Sequence, residues 1–508
     1  MDLNLTDFDV VSEKIKLNQK AEIPLDADIA LADYEPSAAK VFRCKINAYV
    51  SSKNIIGNGV NIEGTANITV IYCDEDNNIF AAEKEMPFKK SVEAPFALDG
   101  GNAEVTLTPV TQSFKAVTER KISIKATLNM DIKVTDKEIN SVISNLEDED
   151  FETLCGSTKA VIPIGKAEKF FIIDEELNLK DTSDSIEKII FTHHNADISE
   201  TKILNNKIVV KGNLNIELFY RTTNNTYEDF NTKLPFNQII DFNGVGEDCN
   251  CDAGVEISNI NVTARTSQNG ECKTVMLVAK LCVSANAFCE KDIPLVYDLY
   301  SKNYETEIER EEICFNKVIH KSKESFICKK SISLPENSLG EVIKLWCESG
   351  KCINKITEQG LTICGNITVC TFVKENSGNI VYVERDIDFD YPINLNEKLN
   401  SPICTANAEI LNTNFTVISG GNIEISMELE ISSSVYDHFN ISAVSKINID
   451  ESKRVSNKTS IFAYYAEKGE NVWEISKNFL ADRKSFLEIN ELQGETVLTP
   501  AMLIIPRI

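Results

Sequence analysis

The chain has 508 residues, of which 43% are hydrophobic and 26% are charged, and its formal net charge is −26. This length corresponds to three or four domains, and the composition argues against long disordered regions. The acidic balance excludes a general nucleic-acid surface, which needs clustered Lys and Arg, and disfavours an anionic membrane. Solubility is the simplest interpretation of the acidity, and preference for a basic partner is the functional one.

The first residues, Met1–Asp9, carry no basic region and no apolar core, so the sequence predicts no signal peptide. No stretch approaches 18 continuous apolar residues, and we therefore expect no spanning helix. The 15 cysteines are an odd number and are scattered through strand-like segments. We expect them to be reduced thiols that fill the interiors of strands.

An internal repeat organises the first 450 residues. Three glycines, Gly64, Gly212 and Gly365, each follow a serine at one constant interval and precede a phenylalanine at a second. The serines are Ser37, Ser185 and Ser338, and the phenylalanines are Phe88, Phe236 and Phe389. The glycines lie about 150 residues apart, which is too long for a solenoid repeat and predicts three separate domains.

Each glycine opens a segment in which apolar residues alternate with polar ones, as in a half-buried strand. Further alternating strands follow at residues 122–130, 275–281 and 423–431. Turn-rich segments at 73–78, 221–226 and 374–378 indicate hairpin loops. We therefore predict a mainly β protein with three tandem antiparallel β-sandwich or barrel-like domains. A short helix capped by the serine is expected at Ser37, Ser185 and Ser338.

The predicted domain boundaries follow from changes in charge and composition. The domains are expected at residues 1–145, 157–303, 318–450 and 459–508. The acidic residues 146–152 and the charge run at 305–312 are interpreted as solvated connectors, and residues 451–458 as a flexible break.

The C-terminal segment changes from period 2 to a helical period. Val472, Ile475 and Phe479 share one helical face, and a second short helix is expected to end at Asn490. A strand at 503–505 completes a β-α-α-β order. This order, with Gly469, Trp473 and Pro500 at matching positions, resembles a LysM domain.

In the LysM family the loop positions form a groove that holds N-acetylglucosamine polymers. The resemblance implies a ligand- or partner-binding site here, and its candidate residues lie in two loops and the first helix. They are Gly469, Glu470, Asn471, Val472, Trp473, Ile475, Leu498, Thr499 and Pro500. The sequence departs from the family at Glu470, Asn471, Leu480 and Ala501, which favours protein over sugar as the ligand. Trp473 lies one step off the apolar stripe, so we expect part of its ring at the groove edge, either as a packing residue or as an interface anchor.

The three repeats resemble SPOCS domains of endospore-forming bacteria, and their order before a terminal LysM module is similar to that of the SipL family, functional counterparts of SpoVID. That resemblance implies a spore coat and envelope assembly protein in the mother-cell cytoplasm at the forespore surface. It also implies that the LysM module docks on the coat ATPase SpoIVA, and other coat proteins are further candidate partners.

No catalytic constellation stands out. The four histidines are His193, His194, His320 and His438, and the first repeat has Lys45 and Ile46 where the second has the His193-His194 pair. The common hydrolase, metalloprotease and P-loop motifs are missing. We therefore expect a non-enzymatic scaffold without cofactor or metal. The alternatives are a protein that binds cortex peptidoglycan or a chitin-like polymer through residues 469–472 and 498–500, and an unrecognised hydrolase in one repeat.

Overall fold

A computed structural model describes residues 4–180, 182–267, 270–334, 340–357, 360–395, 399–418, 421–454 and 461–506. The described chain is mainly β, with 78% of its residues in strands and 3% in helices, so the predicted fold class is confirmed. Neither helix in the described ranges has the length and apolarity that crossing a membrane would require.

Each repeat consists of two antiparallel sheets packed face to face. In the first repeat, one sheet has the order β1-β6-β5 and the other β2-β3-β4. The strands of the first repeat are Leu5–Ala30 (β1), Lys40–Ile56 (β2), Gly59–Cys73 (β3), Ile79–Glu93 (β4), Asn102–Thr118 (β5) and Lys121–Leu146 (β6). Those of the second are Phe151–Asn178 (β7), Ile186–Leu204 (β8), Lys207–Thr222 (β9), Tyr227–Asp241 (β10), Asn250–Arg265 (β11) and Thr274–Ser301 (β12).

The third repeat keeps this plan with one strand divided in two. Its strands are Tyr304–Ser333 (β13), Glu341–Ser349 (β14), Ile353–Thr357 (β15), Gly360–Lys374 (β16), Ile380–Ile393 (β17), Pro402–Ile418 (β18) and Asn422–Arg454 (β19). Both β14 and β15 pair with β16, as the single strand β2 pairs with β3 in the first repeat. The sheets β11-β12-β7 and β13-β19-β18 correspond to β1-β6-β5.

The alternating residues after each glycine form the buried face that the sequence predicts. Ala66, Ile68 and Val70 are buried in the core of the first sandwich, as are their counterparts Leu214, Ile216, Leu218, Ile367, Val369 and Thr371 in the other two. In the first sandwich, residues 122–130 of β6 cover Ala66, Ile68 and Val70 from the opposite sheet. Burial of these side chains, at about 25 cal/mol per Å² of apolar surface, is what holds each sandwich together.

The two landmarks that repeat in the sequence are cross-strand partners. Gly64 lies opposite Phe88, and the same pairing recurs twice, between Gly212 and Phe236 and between Gly365 and Phe389. A Cβ atom at Gly64 would lie 2.3 Å from Cζ of Phe88, so the phenylalanine ring occupies the space above the glycine. The glycine is therefore required by packing.

The hairpin loops between these strands are confirmed, and each contains a left-handed residue at the equivalent position. These residues are Asn77, Asn225 and Gly378. The expected helices are wrong at Ser37 and Ser185, where extended chain leads directly into β2 and β8. The strands that begin shortly after each serine carry β-branched and aromatic residues, among them Val41, Phe42 and Ile186, which favour a strand over a helix. Ser338 lies outside the described residues.

The charge run at residues 305–312 is not the solvated linker that the sequence suggested. It belongs to β13, which pairs with β19 along its whole length from Tyr304 to Ser333. The acidic residues are exposed on a strand whose next residues, Ile313 and Phe315, alternate into a core.

Strands β7 and β13 likewise begin before the predicted domain starts at 157 and 318. Of the acidic connector at 146–152, residues 147–150 form the turn between β6 and β7. Of the expected flexible break, β19 takes residues up to 454 and residues 455–458 lie outside the described ranges.

The long first and last strands of the repeats extend beyond the sandwiches and pack together. Their ends contribute a shared apolar cluster in which Val10 comes from the first repeat, Ile293 from the second and Phe315 from the third. A second shared cluster joins the smaller sheets, where Ile71, Phe219 and Phe372 occupy equivalent positions of the three repeats. The repeats are therefore assembled around common cores.

One pair of cysteines departs from the expectation of reduced thiols. Cys249 and Cys289 are joined by a disulfide within the second repeat. The loop after β10 returns to the start of β11 and brings Cys249 against Cys289 of β12, although the two are 40 residues apart in sequence. The other thirteen cysteines are free, and most are buried or half-buried in strands, as expected.

The C-terminal segment folds as the predicted β-α-α-β module. Strand Ile461–Ala466 (β20) pairs with Ala501–Pro506 (β21), and helices Val472–Phe479 (α1) and Arg483–Ile489 (α2) lie between them in sequence. Asn471 and Asp482 cap the starts of the two helices through their side-chain oxygens, and Asn490 caps the end of α2. Val472, Ile475 and Phe486 form the module core with Leu503 and Ile505.

Candidate partner-binding module and its junction

The structure brings the two predicted binding loops together at one side of the module. The Gly469 amide donates to the Val497 carbonyl at 2.8 Å, and the Val497 amide donates to the Glu470 carbonyl at 2.9 Å. An isolated bridge joins Asn471 to Thr496. Gly469 has a φ of +97°, which a residue without a side chain adopts freely. The loops form one continuous backbone platform.

Six of the nine predicted site residues lie on this platform. Five of them are exposed: Gly469, Asn471, Leu498, Thr499 and Pro500. Glu470 is half-buried because its carboxylate accepts hydrogen bonds from the Tyr464 hydroxyl at 2.9 Å and from the Glu467 amide at 3.1 Å. The Glu470 side chain therefore stabilises the loop from within.

The three helical residues of the predicted site do not share this surface. Val472 and Ile475 are buried in the module core. Trp473 is 2% exposed, so the expectation that part of its ring lies at the groove edge is wrong. Trp473 points away from the loops and into the contact between the module and the second repeat.

Asp298 of β12 is the centre of that contact. Its carboxylate accepts a hydrogen bond from the Trp473 indole Nε1 at 2.8 Å and from the Lys477 ammonium at 2.6 Å. Arg310 of β13 donates to the same carboxylate at 2.7 Å. Three donors from two sides thus satisfy one buried anion, and this arrangement fixes the orientation of α1 against the repeat.

Neighbouring residues widen the contact. The ring of Tyr300 packs against Trp473 with 5.2 Å between centroids, and its hydroxyl donates to the Ala481 carbonyl at 2.7 Å. Lys302 forms an ion pair with Asp482 at 3.2 Å. We call the set Asp298, Tyr300, Lys302, Arg310, Trp473, Lys477, Ala481 and Asp482 the Asp298 junction. It engages both helices of the module.

The junction carboxylates are stabilised in their charged form. Burial of Asp298 opposes its ionisation, but the hydrogen bonds from Lys477 and Trp473 and the charge of Arg310 outweigh this effect, so its pKa lies below the usual value. For Asp482, burial is likewise outweighed by hydrogen bonds from Ser485 and Lys302, and its pKa is about 2. Both groups are therefore anions at neutral pH.

Polar contacts also link the three repeats to one another near the shared core of Ile71, Phe219 and Phe372. Glu348 of the third repeat pairs with Arg43 at 2.7 Å and Lys45 at 3.0 Å in the first. Lys344 of the third pairs with Asp229 of the second at 2.8 Å. These contacts fix how the repeats sit against each other.

The histidine pair lies in the same region, on β8. The Tyr49 hydroxyl and His194 Nε2 are 2.7 Å apart, which joins the first repeat to the second. Burial, with the charge of Lys45 adding to it, lowers the pKa of His194 to about 3. The His194 ring is thus held neutral, and burial also lowers the pKa of His193. Sequence reasoning missed this contact and the Asp298 junction because neither follows from local spacing.

Among the described residues, one group of side chains has the spacing of metal ligands. It consists of Asp248, Cys249 and Cys289, and its two sulfur atoms are bonded to each other. A disulfide sulfur is not the thiolate that binds metal ions. In this form the group serves as a covalent link between a loop and β12.

Comparison with known proteins identifies the first two repeats. The SipL family model, described as the SPOCS domain, matches residues 37–116 and 185–265. These segments hold strands β2–β5 and β8–β11, including the glycine strands and their phenylalanine partners. No curated protein and no solved structure matches the chain. Two of the three repeats therefore match the SPOCS domain of the SipL family, which supports a SipL-like SPOCS-domain protein.

Proposed function

We propose that this chain is a non-enzymatic scaffold for assembly of the bacterial endospore coat and envelope, and that its C-terminal module docks on a SpoIVA-type coat ATPase. The SPOCS match supports a role in sporulation and coat formation. The β-α-α-β fold agrees with the LysM-like sequence of residues 459–508. The proposal assigns the chain to the mother-cell cytoplasm, at the forespore surface.

The observation that carries the proposal is the way the module is mounted. The Asp298 junction holds α1 and α2 against the second repeat, while Gly469, Asn471, residues 498–500, Tyr465 and Met502 remain exposed. A module held in one orientation presents its free surface with less loss of entropy on binding than one on a flexible tether. Contacts made by the three repeats with other coat proteins would add to the affinity through effective concentration.

Deletion of the module tests the docking role. A chain lacking residues 459–508, with its sheet content verified by circular dichroism, is compared with the full chain for capture of a purified SpoIVA-type ATPase. We expect capture to be lost with the module. Undiminished capture by the truncated chain would refute the docking role. In a sporulating cell, the tagged full chain is expected at the forespore surface and the truncated chain dispersed.

Glycan binding is the second candidate function, because the two loops that form the sugar groove in LysM domains lie side by side here. Against it stand Glu470, whose carboxylate is engaged within the loop, and the substitutions at Asn471 and Ala501. Titration of the full chain with chitin oligomers and with peptidoglycan fragments distinguishes the two functions. We expect no saturable binding, and tight binding would reverse their order.

A further inference from the structure

The module has an exposed apolar surface that neither the junction nor the predicted loops include. In the two-stranded sheet, Tyr465 lies opposite Met502, and Ala463 lies opposite Ile504. These four residues, which we call the outer sheet face, alternate with the buried Leu503 and Ile505. Tyr465 and Met502 are 59% and 64% exposed. Large apolar side chains exposed side by side on a small domain are typical of an interaction surface.

The outer sheet face stays accessible when the module is docked on the second repeat. Leu503 and Ile505 pack against the helices on the inner face of the sheet. The junction residues Trp473, Lys477 and Ala481 belong to the helical layer. Because successive side chains of a strand point to opposite faces, the outer face is directed away from that layer.

A partner would meet this surface through side chains, because one edge of the sheet is already paired. The Asn490 side chain accepts a hydrogen bond from the Ile504 amide at 2.6 Å and donates to the Ile504 carbonyl at 2.7 Å. These bonds satisfy the backbone of β21 where an added strand would otherwise pair. Strand addition at Ile504 is thus blocked, and a partner at this position meets the apolar face.

The charge of the module points to the chemistry of the partner. Residues 461–506 contain seven acidic and four basic side chains. Of the basic ones, Lys477 is paired with Asp298 and Arg483 with Glu495. The carboxylates of Glu467, Glu488 and Glu491 are exposed. The module therefore carries an excess of negative charge, and together with its exposed apolar face this is complementary to an apolar segment flanked by Lys or Arg.

We propose that the outer sheet face is the surface with which the module binds its protein partner, and that the partner contributes an apolar segment flanked by basic residues. This inference rests on the proposed docking function and names the surface that performs it. Tyr465 and Met502 form the centre of the contact, and Ile504 extends it along β21. The loop residues 498–500 are outside the contact.

The test compares single substitutions in the full chain for affinity to the purified SpoIVA-type ATPase. Met502→Glu is expected to weaken binding by about tenfold or more, as truncation of a central interface residue does. Ile327→Glu, which changes an equally exposed residue on the third repeat, and Ile172→Glu, on the second repeat, are expected to change it by less than about twofold. Tyr465→Ser and Ile504→Thr are milder second variants, and all are checked by the melting temperature and by Trp473 fluorescence.

Each outcome separates the inference from the function on which it rests. Loss of binding in the variants of Met502 and Tyr465, with increased salt weakening the unmodified chain, supports the inference. Normal binding by these variants, when deletion of residues 459–508 abolishes it, overturns the inference and leaves the docking role intact. Undiminished binding by the truncated chain overturns both. If the chain self-associates and Met502→Glu renders it monomeric, the occupant is a second copy and the proposed partner is wrong.

Discussion

Phe236 covers Gly212 in the ladder between β9 and β10, and a Cβ atom at Gly212 would lie 2.5 Å from Cζ of the ring and 2.1 Å from the Asp197 carbonyl oxygen. One of these atoms belongs to the backbone of the neighbouring strand β8. A side chain at Gly212 would therefore have to displace both the ring and the strand.

Gly212→Ala should destabilise the second repeat by roughly 3 kcal/mol or more, because a packed core and a strand both have to move. The measurement is the urea midpoint of unfolding, with hydrogen exchange to locate the effect. Gly494→Ala is the matched control, since a Cβ atom there meets no atom within 4 Å. Equal midpoints for the two variants would mean that the glycine–phenylalanine pairing does not constrain the fold.

Asp298→Asn should release the C-terminal module without unfolding it. The amide keeps the size of the carboxylate but removes the charge that Lys477 and Arg310 compensate. Amide protection of β20 and β21 should stay, since the module has its own core, while the Trp473 indole becomes accessible to a quencher. Asp131→Asn is the control, because its ion pairs are exposed. An indole that remains shielded would contradict the central position of Asp298.

The same junction should loosen in acid. The pKa of Asp298 is lowered in the folded protein, so its contribution is fully present above the pKa of the unfolded chain and is lost as the pH falls through the folded value. Indole accessibility followed from pH 7 downward should therefore rise below about pH 4. A rise already complete at pH 6 would point to a different titrating group.

His194 should make stability depend on pH in a higher range. Its ring is neutral in the folded protein, with a pKa of about 3, whereas it is protonated below about 6.5 in the unfolded chain. The unfolded chain binds more protons between these values, so stability falls as the pH drops. Between pH 7 and pH 5 the loss should be up to about 2 kcal/mol. His194→Gln should flatten this part of the profile.

Phe372→Ala should separate the repeats more than it unfolds them. The ring packs against Phe42 of the first repeat and Phe219 of the second, at 5.7 and 6.3 Å between centroids. Truncation of a buried phenylalanine costs about 3–5 kcal/mol, and here two of its four aromatic neighbours belong to other repeats. We expect faster proteolysis at the connectors near residues 147–150, at an unchanged sheet content. An unchanged cleavage rate would indicate that the ring does not hold the repeats together.

The sequence predicts the interior of each repeat well because that interior is local and periodic. Ala66, Ile68 and Val70 alternate within one strand, and the constant spacing of Gly64 and Phe88 is the length of one hairpin. The helices of the module follow from one apolar stripe and two caps.

Contacts between the repeats, and between the repeats and the module, leave no comparable pattern in the sequence. Asp298 is one acidic residue among many, and its role depends on Trp473, which follows it by 175 residues. The glutamates at 305–312 indicate a linker in the sequence because their charge outweighs the weak alternation of β13, whose partner β19 begins more than 100 residues later. The disulfide between Cys249 and Cys289 is likewise not predictable from the sequence, because the pairing of cysteines cannot be derived from their spacing alone.

The common core of Ile71, Phe219 and Phe372 has the arrangement of a trimer interface, but it is formed by one polypeptide. A trimer of separate chains dissociates on dilution, whereas here the assembled state is independent of protein concentration. Because the three copies are covalently linked, equivalent positions in them do not have to carry the same residue. Arg43 occupies the position that Phe191 and Lys344 occupy in the other two repeats. Because the three residues differ, Arg43 can pair with Glu348 without three identical charges meeting at the centre. With all three copies in one polypeptide, the residues at each interface can therefore differ from those at the other two.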